Sequence, residues 1–253
     1  MEIVESNFAT MQSIALDELN TLALFDRVDK KFVLKRAQLD RFMEYILDNE
    51  YKILRVNNLS IQQYETHYMD TPDFRFYLEH HNQRANRLKI RMRTYTNSGL
   101  SFLEIKRRVN TGETQKKRIL QSESKCLNEE SCAFIRKYAE IDPLLLQPTA
   151  ITNFNRITFI SEKFQERLTL DFNLNFAHRN KSTSINDSYI LEVKKEKGAV
   201  AGGAIYFLKQ HSIKSLGISK YCLTIAVLNN EIKHNYFKPL ILKLNFTPHG
   251  NLY

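Results

Sequence analysis

The chain has 253 residues, 43% of them hydrophobic, enough to fill a sizeable core. It carries 37 Lys and Arg against 28 Asp and Glu, a formal net charge of +9, which points to an anionic partner: nucleic acid, an anionic membrane surface or a phosphorylated small molecule. Three cysteines, Cys126, Cys132 and Cys222, form no CxxC pair, which argues against a disulfide framework or a zinc site and fits a reducing, cytoplasmic setting. The acidic start lacks the pattern of a secretory signal, and no segment reaches the roughly 18 continuous apolar residues of a membrane span.

With 7 Gly, 5 Pro and no low-complexity tract, nothing reads as a linker, so a single domain over 1–253 is expected. It divides into an N-terminal helix within 1–25, a core over 26–228 and an extension over 229–253. In chain order, Phe8, Met11, Ala15, Leu19 and Leu22 have helical spacing and predict an amphipathic helix from Phe8 to about Leu24. Residues 27–35 alternate with period two and predict a strand, and 36–49 carry an apolar helical stripe. Further strands are predicted over 63–70, 87–95, 100–109, 115–120, 153–161, 164–172 and 188–194, and helices over 128–140, 201–211 and after Ser219. His80-His81 follows a predicted turn and reads as surface. Eight strands with few crossover helices make this an α+β protein with an antiparallel sheet, and closure into an eight-stranded barrel with flanking helices would remove the sheet edges.

The charges follow the strand period. Residues two apart share a face, so RLKIRMR sets Arg87, Lys89, Arg91 and Arg93 against Leu88, Ile90 and Met92. FLEIKRR sets Glu104, Lys106 and Arg108 against Leu103 and Ile105, and the short TNSGL loop makes the two strands neighbours. Arg27, Asp29 and Lys31, then Arg167, Thr169 and Asp171, then Glu192 and Lys194, repeat the theme. Like charges gathered on neighbouring strands repel, and a shared anion offsets that cost. If the charged faces turn inward, the interior is a cationic tunnel that suits a string of phosphates and a divalent metal.

These motifs resemble the VTC (vacuolar transporter chaperone) domain of the triphosphate tunnel metalloenzyme superfamily. The marks are Arg27-x-Asp29-x-Lys31-Phe32, YMDTPD at 68–73, Arg91-x-Arg93, Glu104-x-Lys106, Asn155-Arg156, Arg167-x-x-x-Asp171, Leu191-Glu192-Val193-Lys194 and Ser219-Lys220, in this order through most of the chain. The resemblance implies a tunnel barrel that binds ATP and inorganic polyphosphate and elongates the polymer from ATP. By position it makes Lys31, Arg91, Arg93, Lys106, Arg156, Arg167, Ser219 and Lys220 phosphate ligands and Glu192 the metal carboxylate. Lys89, Lys117 and Lys194 join the phosphate-binding set, although spacing alone leaves open which of Lys116, Lys117 and Arg118 reaches the site. Phe154 stands where the family carries Tyr. Related triphosphatases and cyclases have ExExK in the first strand; here Arg27 and Asp29 occupy the two Glu positions, which favours the polymerase lineage.

Arg suits such a site through its planar fork, and Lys acts as a mobile point charge. The metal expected is Mn²⁺ or Mg²⁺ on Glu192, with Glu104 as a second candidate that could equally be an internal ion-pair partner. No P-loop, GxSxG elbow or HExxH is present, and KGAVAGGA at 197–204 reads as a turn into a helix. The expected function is therefore an ATP–polyphosphate phosphotransferase. Alternatives are a triphosphatase of the same superfamily or a non-catalytic polyphosphate- or RNA-binding module. No nucleic-acid partner is expected, because the aromatic residues fall mainly at packing positions, and the resemblance leaves room for a membrane-protein partner.

Overall fold

The computed structural model describes residues 3, 5–21, 27–121, 127–199 and 202–249. In chain order the elements are β1 (Ser13–Ile14), α1 (Leu16–Thr21), β2 (Arg27–Lys35), α2 (Arg36–Asp48), β3 (Lys52–Leu54), β4 (Gln62–Asp70) and α3 (Arg75–His81). They continue with β5 (Arg87–Tyr95), β6 (Leu100–Arg108), β7 (Thr114–Gln121), α4 (Glu129–Ala139), β8 (Gln147–Ser161) and β9 (Glu166–His178). The last are β10 (Lys181–Ile185), β11 (Ser188–Glu196), α5 (Gly203–Gln210), α6 (Lys220–Leu228), α7 (Lys238–Ile241) and β12 (Phe246–His249). The class is α+β with a large, mainly antiparallel sheet.

The chain forms two compact units that share the long strands β8 and β9. Unit 1 holds Met1–Gln62, Asn155–Asn173 and Asn186–Ile218; unit 2 holds Gln63–Phe154, Leu174–Ile185 and Ser219–Tyr253.

In unit 1 the strands follow the order β2-β11-β9-β8-β3-β1, with β1 on β3 as a parallel pair. Alternation divides the faces. Phe32, Leu34, Leu168, Leu170, Leu191 and Val193 are buried against Leu39, Phe42 and Ile46 of α2 and Ala204, Phe207 and Leu208 of α5. The apolar stripe of α2 therefore has a sheet to cover, and this shared burial stabilises the helix more than its intrinsic propensity does. Glu166 anchors α5: its buried carboxylate accepts from the Ala204 N–H at 2.7 Å and from the Tyr51 hydroxyl. Gly203 lets that carboxylate in, since it has φ +72° and a Cβ would lie 2.7 Å from both Glu166 oxygens.

In unit 2 the order is β12-β10-β9-β8-β4-β5-β6-β7. Ile90, Met92, Leu103 and Ile105 are buried against Phe134 and Ile135 of α4. Asn128 caps α4 by accepting from Ser131 N–H at 2.8 Å, and Glu140 ends it in the left-handed region. Asp70 organises α3, accepting from the N–H groups of Thr71, Phe76 and Tyr77 and from the Tyr221 hydroxyl. Tyr221 sits in α6, which is buried around nearly its whole circumference.

All eight predicted strands and the helices over 36–49, 128–140, 201–211 and after Ser219 are present. Among the described residues neither strand path closes on itself, and β1, β3, β10 and β12 are additional short strands. The predicted helix from Phe8 to Leu24 is instead a 3-10 turn at Glu5–Phe8, the strand β1 and the six-residue α1; residues 22–26 lie outside the described residues. Pairing of Ser13 and Ile14 with Ile53 and Leu54 outweighs the helical spacing, because it buries Ile14 with Leu54 and Ile160. His81 is also corrected: it is buried at the end of α3, 3.0 Å from Asn235 Oδ1. Of the cysteines, Cys132 and Cys222 are free thiols, and Cys126 lies outside the described residues.

Candidate phosphate-binding site

In unit 1 the charged face follows directly from register. Glu192 on β11 lies between Lys31 on β2 and Thr169 on β9, and Lys194 lies between Asp29 and Arg167. Lys31 donates from Nζ to the Ile218 carbonyl at 3.0 Å, which fixes its position. Arg156 binds Asp171 through both arms of its fork, Nε to Oδ1 at 2.5 Å and Nη2 to Oδ2 at 2.8 Å. Burial works against ionised Glu192, but Lys31, Lys194 and Arg156 outweigh it and hold the carboxyl down to about 2. For Lys194 and Arg167 burial prevails, and each is lowered despite Glu192 and Asp29, with Arg27 adding repulsion to both. Arg27 is paired to Asp29 at 3.1 Å, so the two residues at the ExExK positions largely neutralise each other.

In unit 2, β5, β6 and β7 bring Arg91, Glu104 and Arg118 into one row across the sheet and Lys89, Lys106 and Lys116 into the next. Glu104, only 2% exposed, is gripped by Arg91 through Nε at 2.7 Å and Nη2 at 2.6 Å onto Oε2, with Lys116 on Oε1. Burial would raise its pKa, yet Arg91, Arg93 and Lys116 hold it well below the usual carboxylate range. Lys116 itself is pushed down to about 8 by burial of its amine, which Glu104 only partly offsets.

Arg93 is buried, 3.3 Å from Thr66 Oγ1 and over the rings of Tyr64 and Phe154. Phe154 stacks on Tyr64 at 5.1 Å, and Lys220 Nζ lies 4.1 Å from the Phe154 centroid. The ring at this position thus supports two cations by packing and cation–π attraction in place of a hydroxyl contact. Lys89 donates to Ser219 Oγ at 3.1 Å, and Ser219 caps α6.

Register also answers which cation of β7 shares this face. Lys116 and Arg118 stand opposite Lys106 and Glu104, whereas Lys117 stands opposite Ile105 on the apolar side, its amine 5.8 Å from the Tyr138 ring. Lys117 is therefore off the charged face, and Lys116 and Arg118 replace it. The signal lay in the hairpin register, which the spacing after Lys106 does not specify.

Among the described residues no three His, Cys, Asp or Glu side chains gather as a metal-binding set. A Mg²⁺ or Mn²⁺ ion carried by phosphates needs only one or two protein carboxylates. Glu192 fits: it is ionised, partly exposed on the charged face, and the ammonium of Lys194 stands at 3.6 Å, beyond hydrogen-bonding distance. Glu104 and Asp171 do not, because arginine and lysine already occupy their oxygens.

The VTC domain pattern matches residues 26–229. The chain belongs to the VTC domain family. No curated protein matches it significantly. Among solved structures it is similar to a candidate adenylate cyclase from Bacillus halodurans, with 15% identity, a TM-score of 0.52, and coverage of 77% of this chain and 94% of that one. It is also similar to a candidate adenylyl cyclase from Hippeastrum described as having a dominant triphosphatase activity, with 14% identity, a TM-score of 0.45, and coverage of 83% and 100%. At these identities the first likeness speaks to the fold alone. No described helix of this VTC domain is long and apolar enough to cross a membrane.

Proposed function

We propose that this VTC domain is a polyphosphate polymerase, passing the γ-phosphoryl group of ATP to the end of a growing inorganic polyphosphate chain. The proposal includes the closed eight-stranded tunnel implied by the sequence, a cytoplasmic setting and room for a membrane-protein partner. One observation carries it. Like charges stand directly opposite each other across the ladders, Lys194 with Arg167, and Lys106 with Lys89 on one side and Lys116 on the other. Such pairs destabilise a sheet, and burial already lowers Lys194, Arg167 and Lys116. A bound polyanion removes that cost. Carboxylates offset only part of it: Glu104 is shared between Arg91 and Lys116, Glu192 and Asp29 stand near Lys194, and Asp171 is taken by Arg156.

Phosphoryl transfer needs aligned phosphates and neutralised equatorial oxygens more than covalent help. Arg91 and Arg156 are each held by a carboxylate through Nε and Nη2, so the orientation of the guanidinium plane is set before substrate arrives. Lys31, Lys89, Lys106, Arg93, Arg167, Lys194, Ser219 and Lys220 supply further charge and donors along the phosphates. Glu192 would hold the Mn²⁺ or Mg²⁺, which would supply positive charge to offset the charge that develops on the phosphates.

Purified protein given ATP with Mn²⁺ or Mg²⁺ should accumulate a polymer that exopolyphosphatase degrades, and Arg91→Ala should abolish it. Release of orthophosphate without polymer would overturn the polymerase reading in favour of a triphosphatase. RNA binding tighter than tripolyphosphate binding would overturn both.

A further inference from the structure

Thr169 stands on the charged face of unit 1, and the reaction proposed above gives it no part. It lies on β9 directly opposite Glu192 of β11, which in turn stands opposite Lys31 of β2, so the three form one row across the strands. Along β9 its same-face neighbours are Arg167 and Asp171, and Asp171 holds the Arg156 guanidinium through both of its oxygens. The Arg167 and Asp171 positions are about 7 Å apart along the strand, and Thr169 lies midway between them.

Its hydroxyl is out of keeping with this setting. Thr169 is 7% exposed, and among the described residues its Oγ1 is buried without a hydrogen-bond partner. Even the Glu192 carboxylate across the ladder does not accept from it, although a carboxylate can take several donors. A buried, unpaired hydroxyl is costly, and Val would fill the same strand position without that cost.

We propose that Thr169 is a further phosphate-contacting residue, its hydroxyl donating to an oxygen of the phosphate group that Arg156 and Arg167 share beside Glu192. The inference rests on the phosphate-binding reading of this face. Two independent placements bring that phosphate over Thr169: an arginine to either side along β9, and the candidate metal carboxylate across the ladder. Arg167 is repelled by Arg27 and Arg156, and an anion between the guanidinium groups relieves that repulsion. Thr is shorter than these neighbours, so its hydroxyl meets an anion that the longer cations have drawn down to the strands. A hydroxyl adds direction to the contact, which a mobile point charge such as Lys194 does not.

The test is metal-free tripolyphosphate binding by calorimetry on wild type, Thr169→Val and Thr169→Ser, with urea midpoints measured on all three. Thr169→Val keeps the branched shape and loses the hydroxyl, so binding should weaken about five- to tenfold while the midpoint holds or rises. Thr169→Ser keeps the hydroxyl and loses a buried methyl, so the midpoint should fall while affinity stays within about twofold of wild type. A wild type that fails to bind tripolyphosphate would remove the phosphate-binding reading and this inference with it. If wild type binds, three results would overturn the role of Thr169 alone. They are Thr169→Val binding as tightly as wild type, which is also the result expected of a residue that merely orients Glu192; Thr169→Val with a clearly lower midpoint; and Thr169→Ser binding as weakly as Thr169→Val.

Discussion

Replacing Glu192 by Gln removes one charge and little volume from the charged face of unit 1. The carboxyl is held down to about 2 from an ordinary 4.5, so Lys31, Lys194 and Arg156 favour its charged form by about 3 kcal/mol net of burial. Part of that attraction survives in the Gln amide, whose dipole still faces the neighbouring cations, so the expected loss of folding stability at pH 7 is about 1–3 kcal/mol. A depressed carboxyl contributes stability that is fully present above its unfolded pKa and is lost as pH falls toward its folded one. The gap between wild type and Glu192→Gln, read from urea unfolding, should therefore shrink from about pH 4.5 down to pH 2. Function should split in the opposite direction. Metal-dependent polymer formation should fail, while tripolyphosphate binding without metal should hold or tighten, since a negative charge has left the face. Equal stability at pH 7, or a gap that widens in acid, would refute the electrostatic account; weaker metal-free binding would refute the placement of Glu192 beside bound phosphate.

Two further substitutions probe the scaffold. Arg156→Lys keeps the charge and loses the bidentate grip on Asp171, which should cost about 1–3 kcal/mol in denaturant unfolding and lower polymer yield by misaiming the remaining cation. Gly203→Ala places a methyl 2.7 Å from the Glu166 oxygens at φ +72°, so it should destabilise unit 1 by about 2–4 kcal/mol, seen as a lower urea midpoint. A neutral Gly203→Ala would mean that α5 is not anchored by the Glu166 carboxylate.

Much of the charged face was legible from period-two alternation. Arg91, Glu104, Lys106, Lys31, Glu192 and Lys194 each fall on the side opposite the buried aliphatics, because a strand offers its side chains only two directions. Local pattern failed where pairing partners distant in sequence decided the outcome. At Phe8 to Leu24 the helical spacing is real, yet Ser13 and Ile14 pair with β3. At His81 a sequence turn hid α3 and the contact with Asn235, 154 positions away.

The division has a physical basis. Alternation, composition and motif order established an α+β chain with an antiparallel sheet, its charged and apolar strand faces and its family resemblance, since these depend on neighbours along the chain. Tertiary structure decided that Lys116 and Arg118, not Lys117, share the face of Glu104, and that Glu104 and Asp171 are consumed by arginine. Those outcomes depend on hairpin register, where a slip of one residue turns every side chain to the other face, and on distances between charges, which alternation alone does not encode.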